Sequence, residues 1–260
     1  MTPAQHDQAA AFLMAAWDAR RREPSLPEGL KPADEAQAAA INEAIHRRNT
    51  RAIAGWKIGA TGPGPQKALG LSAPFTGFIP AEGIDANDVV YRFADMMRPV
   101  VESEYALRIG RDLPPRAEPY RRAEVEEAIS ALIIGFEIPE SRLGNDHGLG
   151  ALATVADHGG TGRFVIGHEF TDWRDIDCVN QPVVLTFDGK EVGRGTGAAM
   201  MGHPVEAVTW FVNHLSRRGI TLSAGCFVTT GSCTGVIPAP GPCQAVADFG
   251  PLGTVHATFV

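Results

Sequence analysis

The chain has 260 residues, 44% of them hydrophobic and 20% charged, with 30 acidic against 23 basic side chains and a formal charge of -7. Such an apolar fraction excludes a disordered chain, because there is enough hydrophobic surface to bury a core. The acidic balance leaves no broad basic surface for neutralising phosphates, so the expected partner is a small molecule and not nucleic acid.

No stretch reaches the roughly 20 consecutive apolar residues a membrane helix needs, and the longest candidate, Ala128 to Phe136, is broken by Ser130. Met1-Thr2-Pro3-Ala4-Gln5-His6-Asp7 has no positive flank and no apolar run behind it, so a cytoplasmic chain without a signal peptide is expected. Cys178, Cys226, Cys233 and Cys243 form no C-x-x-C pair, which predicts reduced, mostly buried thiols.

In chain order, Ala9, Leu13, Ala16 and Trp17 recur at helical spacing, and Arg20-Arg21-Arg22 is placed in the last turn of that helix, where cations offset exposed carbonyls. Pro24, Pro27 and Pro32 punctuate a link. Asp34 is then the expected N-cap of a second helix whose apolar face is Ala38, Ile41, Ala44 and Ile45. Residues 1–52 read as a helical segment ahead of a β-rich catalytic part, 53–260. Strands are predicted at Trp56–Ile58, Val89–Phe93, Val100–Ile109, Phe164–Ile166, Val183–Phe187, Phe227–Thr230, Gln244–Phe249 and Val255–Phe259. Asp188-Gly189 marks a hairpin. Further helices are predicted through Val125, Ile129, Leu132 and Ile133, through Leu149, Leu152, Ala153 and Ala156, and through Val205, Val208, Phe211, Val212 and Leu215, the last stopped by Gly219. Strands outnumber helices without alternating regularly, which predicts an α+β fold on a mixed sheet.

The dinucleotide, P-loop and zinc-protease signatures are absent. Gly231-Ser232-Cys233-Thr234-Gly235 has the outline of a nucleophile elbow, but no neighbouring motif supplies a histidine base, so a turn or a buried thiol is the expected role of Cys233.

The informative chemistry is in Val100-Val101-Glu102-Ser103-Glu104-Tyr105-Ala106-Leu107-Arg108-Ile109. Side chains alternate along a strand, so Glu102 and Glu104 share one face, about 7 Å apart by Cα, while Val101, Ser103, Tyr105, Leu107 and Ile109 share the other. Like charges held that close call for a cation between them, although an isolated E-x-E is ordinarily a solvated face. Glu137 adds a third acid inside the apolar run Leu132-Ile133-Ile134-Gly135-Phe136. A buried carboxylate needs a partner, either a cation such as Arg142 or a metal site. Hard oxygen ligands select Mg²⁺ or Mn²⁺ over zinc. Gly55-Trp56-Lys57-Ile58-Gly59 places a lysine inside an apolar strand flanked by glycines. Lys57 is either a snorkelling strand lysine or a proton-transfer group drawn out of water.

Gly55-Trp56-Lys57-Ile58-Gly59, Arg98-Pro99-x-Val101-Glu102-x-Glu104, Gly110-Arg111-Asp112-Leu113 and Phe136-Glu137-Ile138-Pro139-x-Ser141-Arg142 together resemble the 2-keto-4-pentenoate hydratase and 4-oxalocrotonate decarboxylase family of the fumarylacetoacetate hydrolase superfamily. Gly202-x-Pro204, Trp210-x-x-Asn213-x-Leu215, Ala224-Gly225 and Thr230-Gly231-Ser232-x-Thr234-Gly235 continue the likeness in the same order, over nearly the whole chain. The resemblance implies a mixed β-roll with a helical N-terminal part, Mg²⁺ or Mn²⁺ held by Glu102, Glu104 and Glu137, and Lys57 as the proton shuttle. It further implies a 2-oxo or 2-hydroxydienoate substrate contacted by Thr161, Thr230 and Ser232, and a homo-oligomer. The implied activity is hydration of a 2-hydroxy-2,4-dienoate. The alternatives are decarboxylation of a 2-oxo-3-enedioate and the role of a weakly active partner subunit. Two departures stand out. Phe75 occupies the place of the acid that many members carry beside the lysine, with Glu82 the nearest replacement. His158 and Gly160 stand where an asparagine and a serine are usual, leaving Thr161 as the nearest hydroxyl. The hydrolase branch uses a His and Glu pair after the first strand, and the Gly59 to Ser72 stretch contains neither.

Overall fold

The computed structural model describes residues 1–144 and 149–260. In chain order the elements are α1 (Pro3–Asp18), α2 (Glu35–Arg48), β1 (Ile53–Gly59), α3 (Pro63–Leu69), β2 (Phe75–Pro80), β3 (Ile84–Ala86), β4 (Val89–Tyr91), β5 (Val100–Ile109), α4 (Arg122–Ala128), β6 (Ile129–Ile138), α5 (Ala151–Ala156), β7 (Arg163–Phe170), β8 (Val183–Phe187), β9 (Lys190–Gly195), α6 (Pro204–Arg217), β10 (Phe227–Ser232), β11 (Ile237–Pro238), β12 (Cys243–Asp248) and β13 (Thr254–Phe259). The strands form an eight-stranded sheet, ordered β2-β1-β10-β5-β6-β7-β3 with β11 on β5, and a five-stranded sheet ordered β4-β13-β12-β8-β9. Parallel pairs (β1 with β10, β3 with β7, β4 with β13) interrupt an otherwise antiparallel pattern, as an α+β mixed sheet requires.

Local signals account for most boundaries. Thr2 and Gln5 form a capping box at the start of α1, and the Asp34 carboxylate accepts from the Gln37 N–H to cap α2. Asp188 and Gly189 both take positive φ, as a two-residue hairpin between β8 and β9 demands. Gly219, at φ 70°, stops α6.

Three expectations are corrected. The helix expected through Val125, Ile129, Leu132 and Ile133 ends at Ala128, where β6 begins. A strand buried on both faces reads as a continuous apolar run, and its period cannot be told from a buried helix. The basic triplet lies beyond α1 and does not cap it. Arg20 adopts φ 46°, its guanidinium donates to the Asp95 carbonyl and pairs with buried Glu140, and Arg22 donates to the Leu143 carbonyl. Strands β2, β3, β9 and β11, two to six residues each, were not among the predicted segments, because short strands carry too few alternations to register.

The eight-stranded sheet has two unlike faces. Val101, Tyr105, Leu107 and Ile109 of β5 enter the main core, which takes in α6 through Val205, Val208, Phe211 and Val212 and the N-terminal helices through Leu13, Ile41 and Ile45. Trp56 packs against Phe211 and Phe78 at centroid distances of 5.4 and 6.4 Å, and Phe78 stacks on Trp17 of α1. The opposite face carries a separate small cluster of Ile79, Ala106, Ile133, Phe164 and Phe227. The acids stand beside this second cluster. Among the described residues, no helix is long and apolar enough to cross a membrane.

Candidate metal and active site

Register assembles the site. Glu102 of β5 pairs with Glu137 of β6 and Glu104 with Gly135, so the three carboxylates point from one face of adjacent strands. On the other side of β5, Ala106 is in register with Thr229 of β10, Thr229 with Lys57 of β1, and Lys57 with Gly77 of β2. A single row across four strands therefore leads from the lysine toward the acids. One oxygen from each of Glu102, Glu104 and Glu137 lies within 4.8 Å of the others, which is the span over which oxygens can share a hard cation. Lys57 Nζ stands 2.8 Å from Glu137 Oε1, with both side chains 3% exposed.

The glycines around Lys57 have a steric reason. A Cβ on Gly55 would meet the Phe227 ring at 2.5 Å, and one on Gly59 would meet the Phe75 ring at 2.1 Å. These rings occupy the positions two residues either side of the lysine on its own face and wall it in with apolar surface. On Gly77 a Cβ would strike the His158 carbonyl oxygen and the Thr161 hydroxyl at 2.3 Å, and Gly159 packs directly on Lys57 Cε. The turn following α5 thus lies over the lysine.

Arg142 holds that turn and does not meet Glu137. Its Nε donates to Asp157 Oδ1 at 2.7 Å, its backbone N–H donates to Asp157 Oδ2, and its terminal nitrogens donate to the Asp157 and Thr161 carbonyls. Glu137 takes its cation from Lys57 instead. The Arg142 guanidinium also stacks on Trp17, tying the turn to α1.

Burial dominates the electrostatics. Desolvation pushes Glu102 up to about 8, reinforced by repulsion from Glu137 and opposed by Lys57. Desolvation raises Glu104 well above the carboxylate range, with repulsion from Glu137 and Glu102 adding to it and the Gly231 N–H, 2.9 Å from Oε2, pulling back. Glu137 is raised by desolvation and pulled back by Lys57. Glu104 Oε1 is buried with no hydrogen bond, and Glu137 Oε1 has the Lys57 ammonium as its one partner. Unsatisfied buried carboxylate oxygens that converge are what a divalent cation relieves, so the residues present fit such an ion.

The departures take definite places. Phe75 sets its ring 5.9 Å from Lys57 Nζ, while Glu82 lies at the surface, paired with Arg51 at 3.0 Å, so the carboxylate beside the lysine is Glu137. His158 is buried and faces the helical side. Its Nε2 accepts from the Phe78 N–H at 2.7 Å and its Nδ1 meets Asn42 Oδ1 at 3.0 Å, which defines a neutral ring protonated at Nδ1. Burial, then the positive charge of Arg142, holds its proton affinity well below the usual histidine range. The three hydroxyls expected to touch substrate spend their protons on backbone carbonyls: Thr161 on His158 at 2.8 Å, Thr230 on Tyr105 at 2.7 Å and Ser232 on Gly235 at 2.8 Å. Thr229, which the sequence did not single out, is buried beside Glu104, and its hydroxyl helps the Gly231 N–H hold that carboxyl down. Cys233 is a buried thiol raised first by desolvation and then by Glu104, as the inert reading of that motif expects.

Comparison with known proteins matches this architecture. The model of the fumarylacetoacetate (FAA) hydrolase C-terminal family matches residues 72–256. The chain belongs to that family. It is 33% identical over 219 residues to a 2-keto-4-pentenoate hydratase of Burkholderia vietnamiensis, covering 84% of this chain and 82% of the relative. A 2-keto-4-pentenoate hydratase of Paraburkholderia phymatum is 32% identical over 253 residues, covering 96% and 95%. Among solved structures, 4-oxalocrotonate decarboxylase from Pseudomonas putida G7, complexed with magnesium and adipate, superposes with a TM-score of 0.89 at 25% identity, covering 100% of this chain and 99% of that one. The β-roll with a helical N-terminal part, implied by motif resemblance, is thereby shown.

Proposed function

We propose that this family member is a divalent-metal-dependent hydratase. It would add water to a 2-hydroxy-2,4-dienoate to give a 4-hydroxy-2-oxo acid. The observation that carries the reading is the convergence of three carboxylates, Glu104 and Glu137 buried and Glu102 half-buried, beside a buried lysine 2.8 Å from one of them. Glu102, Glu104 and Glu137 would hold Mg²⁺ or Mn²⁺, which supplies Lewis acidity toward the substrate's carboxylate and 2-oxygen. Lys57 then acts on the dienol. It donates a proton to C5 and takes the 2-hydroxyl proton in return, giving the 2-oxo-3-enoate, while the ion pair with Glu137 holds the ammonium in place. Water adds at C4 of that enone, its oxygen bonding to C4 and a proton going to C3. The Phe75, Phe227 and Gly159 walls keep bulk water from the lysine, so its proton goes to the substrate.

The likeness to 4-oxalocrotonate decarboxylase supports a second reading, in which the same carboxylates and lysine serve loss of CO₂ from a 2-oxo-3-enedioate. The greater identity to hydratases favours hydration. Incubation of the isolated chain with 2-hydroxypenta-2,4-dienoate or 4-oxalocrotonate, with and without Mg²⁺ or Mn²⁺, separates the readings. The expected result is metal-dependent loss of dienol absorbance with stoichiometric 4-hydroxy-2-oxopentanoate. CO₂ release from 4-oxalocrotonate without hydration would establish the decarboxylase, and no turnover of either would leave a partner-subunit role.

A further inference from the structure

Strand β2 is the outer strand of the eight-stranded sheet, so the backbone groups on its far side need partners from elsewhere. Two side chains supply them. Asn42 of α2 donates from Nδ2 to the Thr76 carbonyl at 2.8 Å, and His158 Nε2 accepts from the Phe78 N–H at 2.7 Å. A parallel neighbouring strand would offer the same donor and acceptor from its backbone. The two side chains are joined by the 3.0 Å contact of His158 Nδ1 with Asn42 Oδ1, and Asn42 Nδ2 also donates to the Val155 carbonyl of α5 at 3.0 Å. Both residues are buried.

His158 takes φ 56°, and Gly159 and Gly160 follow at 69° and 64°. Glycine adopts this backbone without strain and histidine does not, so the bonds of the ring hold the residue there. The turn fixed in this way reaches the lysine. Gly159 has no room for a Cβ, which would stand 2.8 Å from Lys57 Cε, while the Lys57 ammonium is held by Glu137. We propose that Asn42 and His158 are positioning residues: as one clamp joining α2, α5 and the edge of β2, they press the Gly159 turn onto Lys57 and fix where its ammonium stands. This rests on the proton-transfer reading of Lys57 and extends it to α2. Neither side chain bonds Lys57 or a carboxylate of the trio, so their effect on the lysine passes through the turn. Proton transfer is steep in geometry, a misplacement of about 1 Å costing about a hundredfold in rate.

Reductive methylation of the metal-free full chain, read lysine by lysine by peptide mass spectrometry, tests the clamp without substrate. The chain has four lysines, and exposed Lys190 is the internal reference. His158→Ala and Asn42→Leu should raise Lys57 methylation at least about tenfold relative to Lys190. His158→Gln, whose amide oxygen can accept from the Phe78 N–H, should recover most of the protection. With Mg²⁺, kcat for 2-hydroxypenta-2,4-dienoate should fall about tenfold to a hundredfold in His158→Ala, with KM and Mn²⁺ affinity within about threefold of the parent. Leu185→Ala truncates the core at β8 in the other sheet, away from the clamp, and should leave Lys57 protected. Parent-like protection in His158→Ala overturns the proposal, as does an equal rise in Leu185→Ala, which would assign the effect to general destabilisation. A deprotected His158→Ala with parental kcat overturns it as well, and so does a parallel fall in Mn²⁺ affinity, because the carboxylates would then have moved. Deprotection reversed by His158→Gln, in a chain that turns over no dienoate, upholds the clamp on Lys57 and overturns the hydratase reading.

Discussion

Replacing Lys57 with methionine keeps the length of the side chain and removes its charge, leaving Glu137 buried without its cation. At the 2.8 Å separation of Nζ and Oε1, and with an effective dielectric of about 20, the attraction is about 6 kcal/mol. Desolvation of two groups that are 3% exposed consumes part of it. Breaking one side of such a pair therefore costs about 3–5 kcal/mol, a large part of the roughly 5–15 kcal/mol that holds a typical domain together. Urea unfolding of metal-free protein at pH 8 reads this directly. Lys57→Met should lose about 3–5 kcal/mol, and the double variant Lys57→Met/Glu137→Gln should recover most of it because no uncompensated charge remains. Mg²⁺ should also restore Lys57→Met, since a cation on the carboxylates replaces the missing ammonium. Turnover should fall by about 10²–10⁴ with or without Mg²⁺, because proton transfer is lost. Unchanged stability in Lys57→Met, or no recovery in the double variant, would show that the pair does not balance Glu137. Dienoate turnover within tenfold of the parent would refute the proton role.

Glu104→Gln removes one carboxylate of the trio at constant shape. It should abolish Mn²⁺ binding measured by electron paramagnetic resonance, while the metal-free fold is as stable as the parent or more so, one buried like charge having gone; parent-like Mn²⁺ affinity would contradict the ligand assignment. Gly59→Ala places a methyl 2.1 Å from the Phe75 ring, and should cost about 1–3 kcal/mol by overpacking. Adding Phe75→Ala should restore stability, and a Gly59→Ala protein as stable as the parent would refute the steric account. His158 is held neutral by burial, below its ordinary 6.5. Below about pH 6.5 the unfolded chain binds a proton that the native ring refuses, so its contribution is complete above that pH and is lost as pH falls, by up to about 1.4 kcal/mol per unit. His158→Asn should therefore flatten the acid limb of stability against pH, and an unchanged limb would remove His158 as its cause.

The alternation in Val100–Ile109 was legible to the residue: the predicted strand and β5 have the same bounds, with Glu102 and Glu104 opposite the core-facing residues. Glu137 was legible as a carboxylate in need of a cation, but its cation was not. Arg142 is near in sequence, yet Asp157 claims it, and the pairing of β1, β10, β5 and β6 brings Lys57 from 80 positions away. The β6 run was misread as helix because burial on both faces erases the period that separates the two. Thr230 was expected to touch substrate, yet the register of β10 puts Thr229 on the face of Lys57 and Ala106 and turns the Thr230 hydroxyl to the Tyr105 carbonyl. The chain by itself determined which side chains are costly to bury: acids in apolar strands and a lysine between glycines. Residue type sets that cost. Only the tertiary structure decided how the cost is met, because strand register and the turn over Lys57 are long-range pairings that local spacing does not encode.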